Sequence, residues 1–486
     1  MPTKWNRSPV AVIFLLLFYG ATLAMRAAQE TTRYLAFQIF TGGIDSAELR
    51  QSLPQSPDSL LKTVEDIRGR VYVPAAAGRR LGFIAGPLSF DNTDEEIRKL
   101  IAASFTIALQ TDVAVGFHID DSMFWGRLKS LSLPGNVEWL DWSGKPGTGR
   151  RLDWSSKPLK IMPQLCLNSR GVTEEVRKRA ALIGDEVQKG LRKLHDAGRD
   201  DIFIGVIAGW ETQIGRDFAT GKPLGYCALT NKGFSATHPP ADFERARSEI
   251  VREFVALWAQ SLAEAGIPKD KIYSHIAFMS ESQYRLARRV RPDQTAASYL
   301  EAINATPPEV AFSPFNHPGF STYPQPGHLE QLRDELAKHG NPPWASSEGT
   351  AIDPAVAEQS GPGRNMEGYL GNLFNHGARL VNIFGWGVGD QGNPFRKVAE
   401  EDASVAAYRK FLKAEVLQED PMPAPEIPSA ALPEKMRIIE RGLPAYVDKN
   451  GPARVASLMQ RLDEQIKQQR FAEAEKTADE VLPMMK

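Results

Sequence analysis

Apolar runs and helix-like segments alternate along most of this 486-residue chain. The runs occupy 34–40, 81–88, 113–119, 202–210, 272–278, 310–315, 344–347 and 380–386. Helix-like segments lie between them at 94–109, 173–197, 242–265, 328–339 and 366–376. A strand covered on both faces reads as a continuous apolar run, not as an in-out alternation. Eight such runs with helices or long connections between them predict an α/β chain folded as a (β/α)8 TIM barrel. An open doubly wound sheet is the rival, and it would carry a glycine-rich phosphate turn after the first strand, which this chain lacks. Local signals agree with the helix placements. Thr93 followed by Glu96 has the form of a capping box, and Gly266 with Pro268 is a stop signal.

The catalytic barrel is expected over 29–415. Its third βα connection is unusually long and carries a near-duplicate, Leu140-Asp141-Trp142-Ser143 and Leu152-Asp153-Trp154-Ser155, around a glycine-rich bend. That pattern predicts a hairpin holding Trp142 and Trp154 over the barrel mouth. Trp125 and Trp139 lie in the same connection. These rings either pack the loop down or stack on a bound ring. Residues 416–434 are rich in proline (Pro421, Pro423, Pro425, Pro428, Pro433) and read as a linker. Over 435–486, Leu458, Leu462 and Ile466 share one helix face, and Phe471, Ala474, Ala478 and Val481 share a second. They predict a C-terminal helical hairpin that must dock on the barrel or on another protein to cover its apolar face.

Residues 1–28 resemble a secretory leader. Lys4 and Arg7 precede about 15 apolar residues, and small residues around Ala24, Ala27 and Ala28 follow. That run is short for a bilayer span, which takes about 20 residues. The expectation is a secreted or periplasmic protein with no membrane attachment once the leader is cleaved. A net charge of −1 is not the basic field that a nucleic-acid partner demands. No spacing of the eight histidines matches a zinc site, and neither metal nor cofactor is expected. Cys166 and Cys227 are either a disulfide or two buried thiols, a matter for geometry.

Two glutamates carry the expected chemistry. Glu211 ends the fourth run and Glu348 the seventh, so a barrel brings both to its C-terminal mouth, where such folds keep their active sites. Two facing carboxyls suit glycosidic bond cleavage. Glu211, behind an apolar run, is the expected acid/base. Glu348, behind the hydroxyls of Ser346 and Ser347, is the expected nucleophile. Other strand ends offer substrate contacts. His118, Asp120 and Asp121 close the third run, Asn316 and His317 the sixth, and Asp390 with Gln391 follow the eighth. His275, inside the fifth run, reads more readily as a core residue. His118 and Asp120 point the same way on a strand, the beginning of a metal site, but no third ligand is spaced to join them.

Glutamates closing strands four and seven, with Trp386 closing strand eight in Phe384-Gly385-Trp386-Gly387, resemble clan A of the glycoside hydrolases over roughly 34–412. The resemblance implies a retaining mechanism on a carbohydrate substrate, Glu211 as acid/base, Glu348 as nucleophile and Trp386 as the floor of the sugar subsite. The chain departs from the clan at one position. Trp210 stands before Glu211 where the clan usually has an asparagine that contacts the sugar 2-hydroxyl. A non-catalytic carbohydrate-binding barrel and an inverting glycosidase are the alternatives. An inverting enzyme would hold its carboxyls about 6.5–9.5 Å apart instead of about 5–5.5 Å.

Overall fold

The computed structural model describes residues 32–485 apart from 41–55, 152–160, 218, 279, 281–305, 326, 353–364, 421–428, 430, 468 and 469. Residues 1–28 and Trp154 lie outside the described residues. Among the described residues, no helix is long and apolar enough to cross a membrane.

Eight parallel strands build the barrel: β1 (Arg33–Phe40), β2 (Arg79–Leu88), β3 (Ala114–Ile119), β4 (Phe203–Ala208), β5 (Ile272–Ser274), β6 (Gly319–Ser321), β7 (Trp344–Gly349) and β8 (Ala378–Ile383). Neighbours run β5-β4-β3-β2-β1-β8-β7-β6. The two ends of that order then meet. His317 N donates to Ile272 O (2.9 Å), Ser274 N to His317 O (3.1 Å), Ile276 N to Gly319 O (3.0 Å) and Ser321 N to Ile276 O (2.9 Å). These bonds close the sheet into the expected TIM barrel.

The longer helices described around it are α1 (Pro57–Val71), α2 (Asp94–Thr111), α3 (Arg170–Asp196), α4 (Phe243–Glu264), α5 (His328–Lys338), α6 (Met366–Phe374) and α7 (Asp402–Leu412). Thr93 and Glu96 form the reciprocal capping box at the start of α2. Ser169 and Asp242 cap α3 and α4 one way, each side chain accepting a backbone N–H of the first turn. Inside the barrel, Gly82 and Gly116 make room for branched neighbours. A Cβ at Gly82 would lie 2.5 Å from Ile204 Cδ1, and one at Gly116 would lie 2.5 Å from Ile84 Cδ1.

The sixth strand departs from expectation. The segment 310–315 does not pair in the sheet. Pro307 and Pro308 open it, and Pro308–Ala311 form a 3-10 turn, because proline at the front of a turn has no N–H to lose and a preset φ. Pairing passes to 317–321. Asn316 and His317 therefore sit at the N-terminal end of β6, at the floor of the barrel and away from its mouth.

The tail also differs. Three helices, α8 (Ala431–Asn450), α9 (Ala453–Lys467) and α10 (Phe471–Val481), enclose a core of their own from Leu432, Met436, Ile439, Val455, Leu462, Phe471, Ala474, Ala478 and Val481. Pro433 stands in the first turn of α8, where proline is tolerated, so a residue that reads as linker begins a helix. The added helix covers the face that a two-helix hairpin leaves open.

Candidate active site

Strand β4 ends at Ala208, and Glu211 stands three residues beyond it in a turn. Gly209 has φ 102° and Glu211 φ 52°, the left-handed region that costs a side-chain-bearing residue about 1 kcal/mol. Asp121, at the end of β3, pins that turn. Its carboxylate accepts from the Trp210 N–H (3.4 Å), from Thr212 Oγ1 and from Ser122 Oγ (3.2 Å). Asp120 closes its own loop, accepting from the N–H groups of Ser122, Met123 and Phe124 at 3.2, 2.8 and 3.2 Å. Both aspartates are buried. They organise the mouth, Asp121 through both of its oxygens and Asp120 through Oδ1.

Glu348 lies inside β7 with only 6% of its surface exposed. Its Oε1 accepts from the Tyr323 hydroxyl at 2.8 Å. Burial and the facing charge of Glu211 push its carboxyl up to about 8, while hydrogen bonds from Tyr323 and the Trp210 side chain pull the other way. The two glutamates are thus close enough to feel each other's charge. Ser346 and Ser347 are not the donors. Ser346 Oγ lies 2.7 Å from Thr322 Oγ1, and Ser347 Oγ donates to Ser274 O at 2.6 Å. Ser347 faces the opposite side of the pleat, an irregularity in the β6–β7 register separates Ser346 from Glu348, and Tyr323 takes the place assigned to them.

A buried polar chain runs from the lumen to Glu211. Gln38 Oε1 lies 2.8 Å from His118 Nδ1, and His118 Nε2 lies 3.0 Å from His275 Nδ1. His275 Nε2 lies 2.9 Å from Ser321 Oγ, which is 2.8 Å from Glu211 Oε1. Burial holds His118 well below its ordinary value and brings His275 down to about 3, so both rings are neutral at physiological pH. His118 is therefore a lumen residue behind the site. Trp210 stacks on it face to face, with centroids 4.0 Å apart. Trp210 bridges the two halves of the site, its backbone held by Asp121 and its side chain turned toward Glu348.

Trp386 does not floor a subsite. It sits behind the barrel wall, its indole N–H donating to Asp66 Oδ2 of α1 at 3.1 Å. Phe37 meets it edge-on at 5.0 Å and the Arg70 guanidinium lies over it at 4.9 Å. The φ of 122° at Gly385 turns the chain so that Phe384, not Trp386, presents a half-buried ring at the mouth, against Phe40 (5.8 Å) and Phe395 (5.3 Å). Trp125 is buried in the main core. Trp142 packs edge-on against Tyr226, and the described pairing in that connection joins Arg150–Arg151 to Ile161–Met162. Asp390 accepts from Gly392 N in an exposed loop. Asn316 Nδ2 donates to Ala311 O and His317 O at the barrel floor, and burial beside Arg379 lowers His317. Neither reaches the glutamates. Cys166 and Cys227 are both free, buried thiols.

Sequence reasoning missed Ser321, Tyr323 and Phe384. The run Gly319-Phe320-Ser321-Thr322-Tyr323 was legible as a strand and its exit, but the more apolar 310–315 stretch masked it.

No protein-family profile matches the chain, and no curated protein does. Among solved structures it is similar to a β-glycosidase from Thermosphaera aggregans (9% identity, 78% of this chain and 95% of that one, TM-score 0.41). It is also similar to a GH5-4 broad-specificity endoglucanase from an uncultured bacterium (7%, 80% and 95%, 0.40) and to a β-glucosidase from Thermotoga maritima (11%, 79% and 98%, 0.37). At TM-scores below 0.5 these likenesses carry no weight for the chemistry.

Proposed function

We propose that the chain is a glycoside hydrolase acting on a carbohydrate by double displacement, with Glu211 protonating the leaving oxygen and Glu348 attacking the anomeric carbon. The juxtaposition of the two carboxyls at the barrel mouth carries this reading. One is half-buried on a hydroxyl that both donates and accepts; the other is buried, bonded by the Tyr323 hydroxyl and opposed by the charge of Glu211. Burial and the Glu211 charge raise the Glu348 carboxyl, while hydrogen bonds from Tyr323 O–H and the Trp210 side chain favour its anion, the form that attacks once pH passes that raised value. A carboxyl on Ser321 Oγ can keep its proton. That asymmetry supports the acid and nucleophile roles. Phe384, Phe40 and Tyr323 offer an aromatic wall suited to a sugar face. The leader-like N-terminus supports an exported enzyme.

The test is a screen of aryl glycosides, followed by NMR of the first-formed anomer. Retained configuration is expected, and inversion would recast Glu348 as a base that activates water. Glu348→Gln is expected to abolish hydrolysis and keep sugar affinity. A wild-type chain that binds sugars and turns none over is a binding barrel, and the proposal then fails.

A further inference from the structure

The chain of contacts behind Glu211 has a countable proton inventory. Asn382 Nδ2 donates to Ser347 O (2.8 Å) and to Gln38 Oε1 (2.9 Å), which fixes Gln38 Oε1 as an acceptor. Four links then lead to Glu211: Gln38 to His118 (2.8 Å), His118 to His275 (3.0 Å), His275 to Ser321 (2.9 Å) and Ser321 to Glu211 (2.8 Å). Each link needs one hydrogen. Two neutral imidazoles and one hydroxyl supply three.

With Glu211 ionised, Ser321 donates to it, His275 Nε2–H to Ser321, and His118 Nε2–H to His275 and to Gly209 O (3.1 Å). His118 Nδ1 is then bare and faces Gln38 Oε1, acceptor to acceptor, at the tighter 2.8 Å contact. With Glu211 protonated, every link is served in one direction. Glu211 donates to Ser321, Ser321 to His275 Nε2, His275 Nδ1–H to His118 Nε2, and His118 Nδ1–H to Gln38. Only the longer Gly209 contact goes without. Burial keeps both rings neutral, so the fourth hydrogen that completes the count sits on Glu211, the outer end of the chain.

We propose that Gln38, His118, His275 and Ser321 are positioning residues that form a relay holding the acid proton on Glu211. The relay rests on the reading of Glu211 as the acid. The proton enters from solvent and leaves to the glycosidic oxygen; no other bond changes in the relay. Among the described residues, the titratable groups facing Glu211 include Glu348 from β7, Tyr323 beyond β6, His275 through Ser321, and Asp121 through the pinned turn. Glu348 and Glu211 oppose each other's charge, and Tyr323 stays neutral because burial raises it.

The experiment compares kcat/KM against pH for Ser321→Ala and wild type on two substrates. An alkyl glycoside needs an acid; a dinitrophenyl glycoside has a leaving group that does not. The alkaline limb on the alkyl glycoside is expected to fall by about one pH unit, a loss of about tenfold above the limb, with the dinitrophenyl rate within about twofold. An unmoved limb, or equal loss on both substrates, overturns the relay. If Ser321→Ala does not fold, Gln38→Met at the far end decides. It removes the fixed acceptor and is expected to shift the limb the same way; an unmoved limb overturns the relay there too. Wild type that hydrolyses neither substrate overturns the glycosidase reading itself. Wild type that hydrolyses both, with variants whose limbs do not move, overturns the relay alone.

Discussion

Replacing Glu348 with glutamine probes the site through stability instead of rate. The carboxyl ordinarily titrates at 4.5 and is pushed to about 8 in the fold by burial and by Glu211. A group raised in this way contributes fully below its unfolded value, and that contribution is lost as pH rises through the folded one. At pH 7 the interval above 4.5 is about 2.5 pH units, each worth about 1.4 kcal/mol, so the wild type carries a penalty of about 3 kcal/mol. Glutamine has nearly the same shape, keeps an oxygen for Tyr323 and cannot ionise. The variant is expected to match wild type near pH 4, to exceed it by about 3 kcal/mol at pH 7, and to exceed it further by pH 8. Chemical denaturation at pH 4, 5.5, 7 and 8 reads this out, with midpoints compared at constant m-value. A gap that does not change with pH, or a variant less stable than wild type at pH 8, would refute the buried, charge-opposed carboxyl and with it the pairing of the two glutamates.

Tyr323→Phe removes a donor from the Glu348 anion and is expected to move the acid limb of kcat/KM upward by about one pH unit, costing about tenfold below it. Trp386→Phe is expected to cost about 2 kcal/mol in unfolding experiments and leave KM alone, since the ring packs against Phe37 and α1. Phe384→Ala is expected to raise KM about tenfold with a small change in stability. The reverse pattern for that pair would restore Trp386 as the subsite floor. Asp121→Ala frees the left-handed turn that carries Glu211 and is expected to lower kcat by about 10-fold or more, with KM little changed, in steady-state assays.

Much of the barrel was legible because strands and helices leave periodic traces in the chain itself. The run before Glu211, the capping box at Thr93 and the stop at Gly266 are local matters, decided within a turn or two of backbone. Where a local signal had two meanings, tertiary context chose. The stretch 310–315 is apolar enough for a strand, but its prolines begin a turn, and the weaker Gly319–Ser321 segment won the hydrogen bonds of β5. Pro433 looked like the end of a linker and is the first turn of a helix.

The sequence by itself determined the class of fold and which two carboxyls stand at its mouth, since β-strand order carries residues at strand ends to one rim. It could not decide what surrounds them. Ser321 reaches Glu211 across 110 residues of chain, Asp121 pins a turn 89 residues away, and Asn382 fixes Gln38 across 344. Such partners share no periodicity, because barrel closure brings together residues whose separation along the chain is arbitrary. Side-chain direction is likewise a tertiary matter. The positive φ at Gly385 sends Trp386 behind the wall and leaves Phe384 at the mouth, a choice made by packing against α1 and not by the residue's own preference.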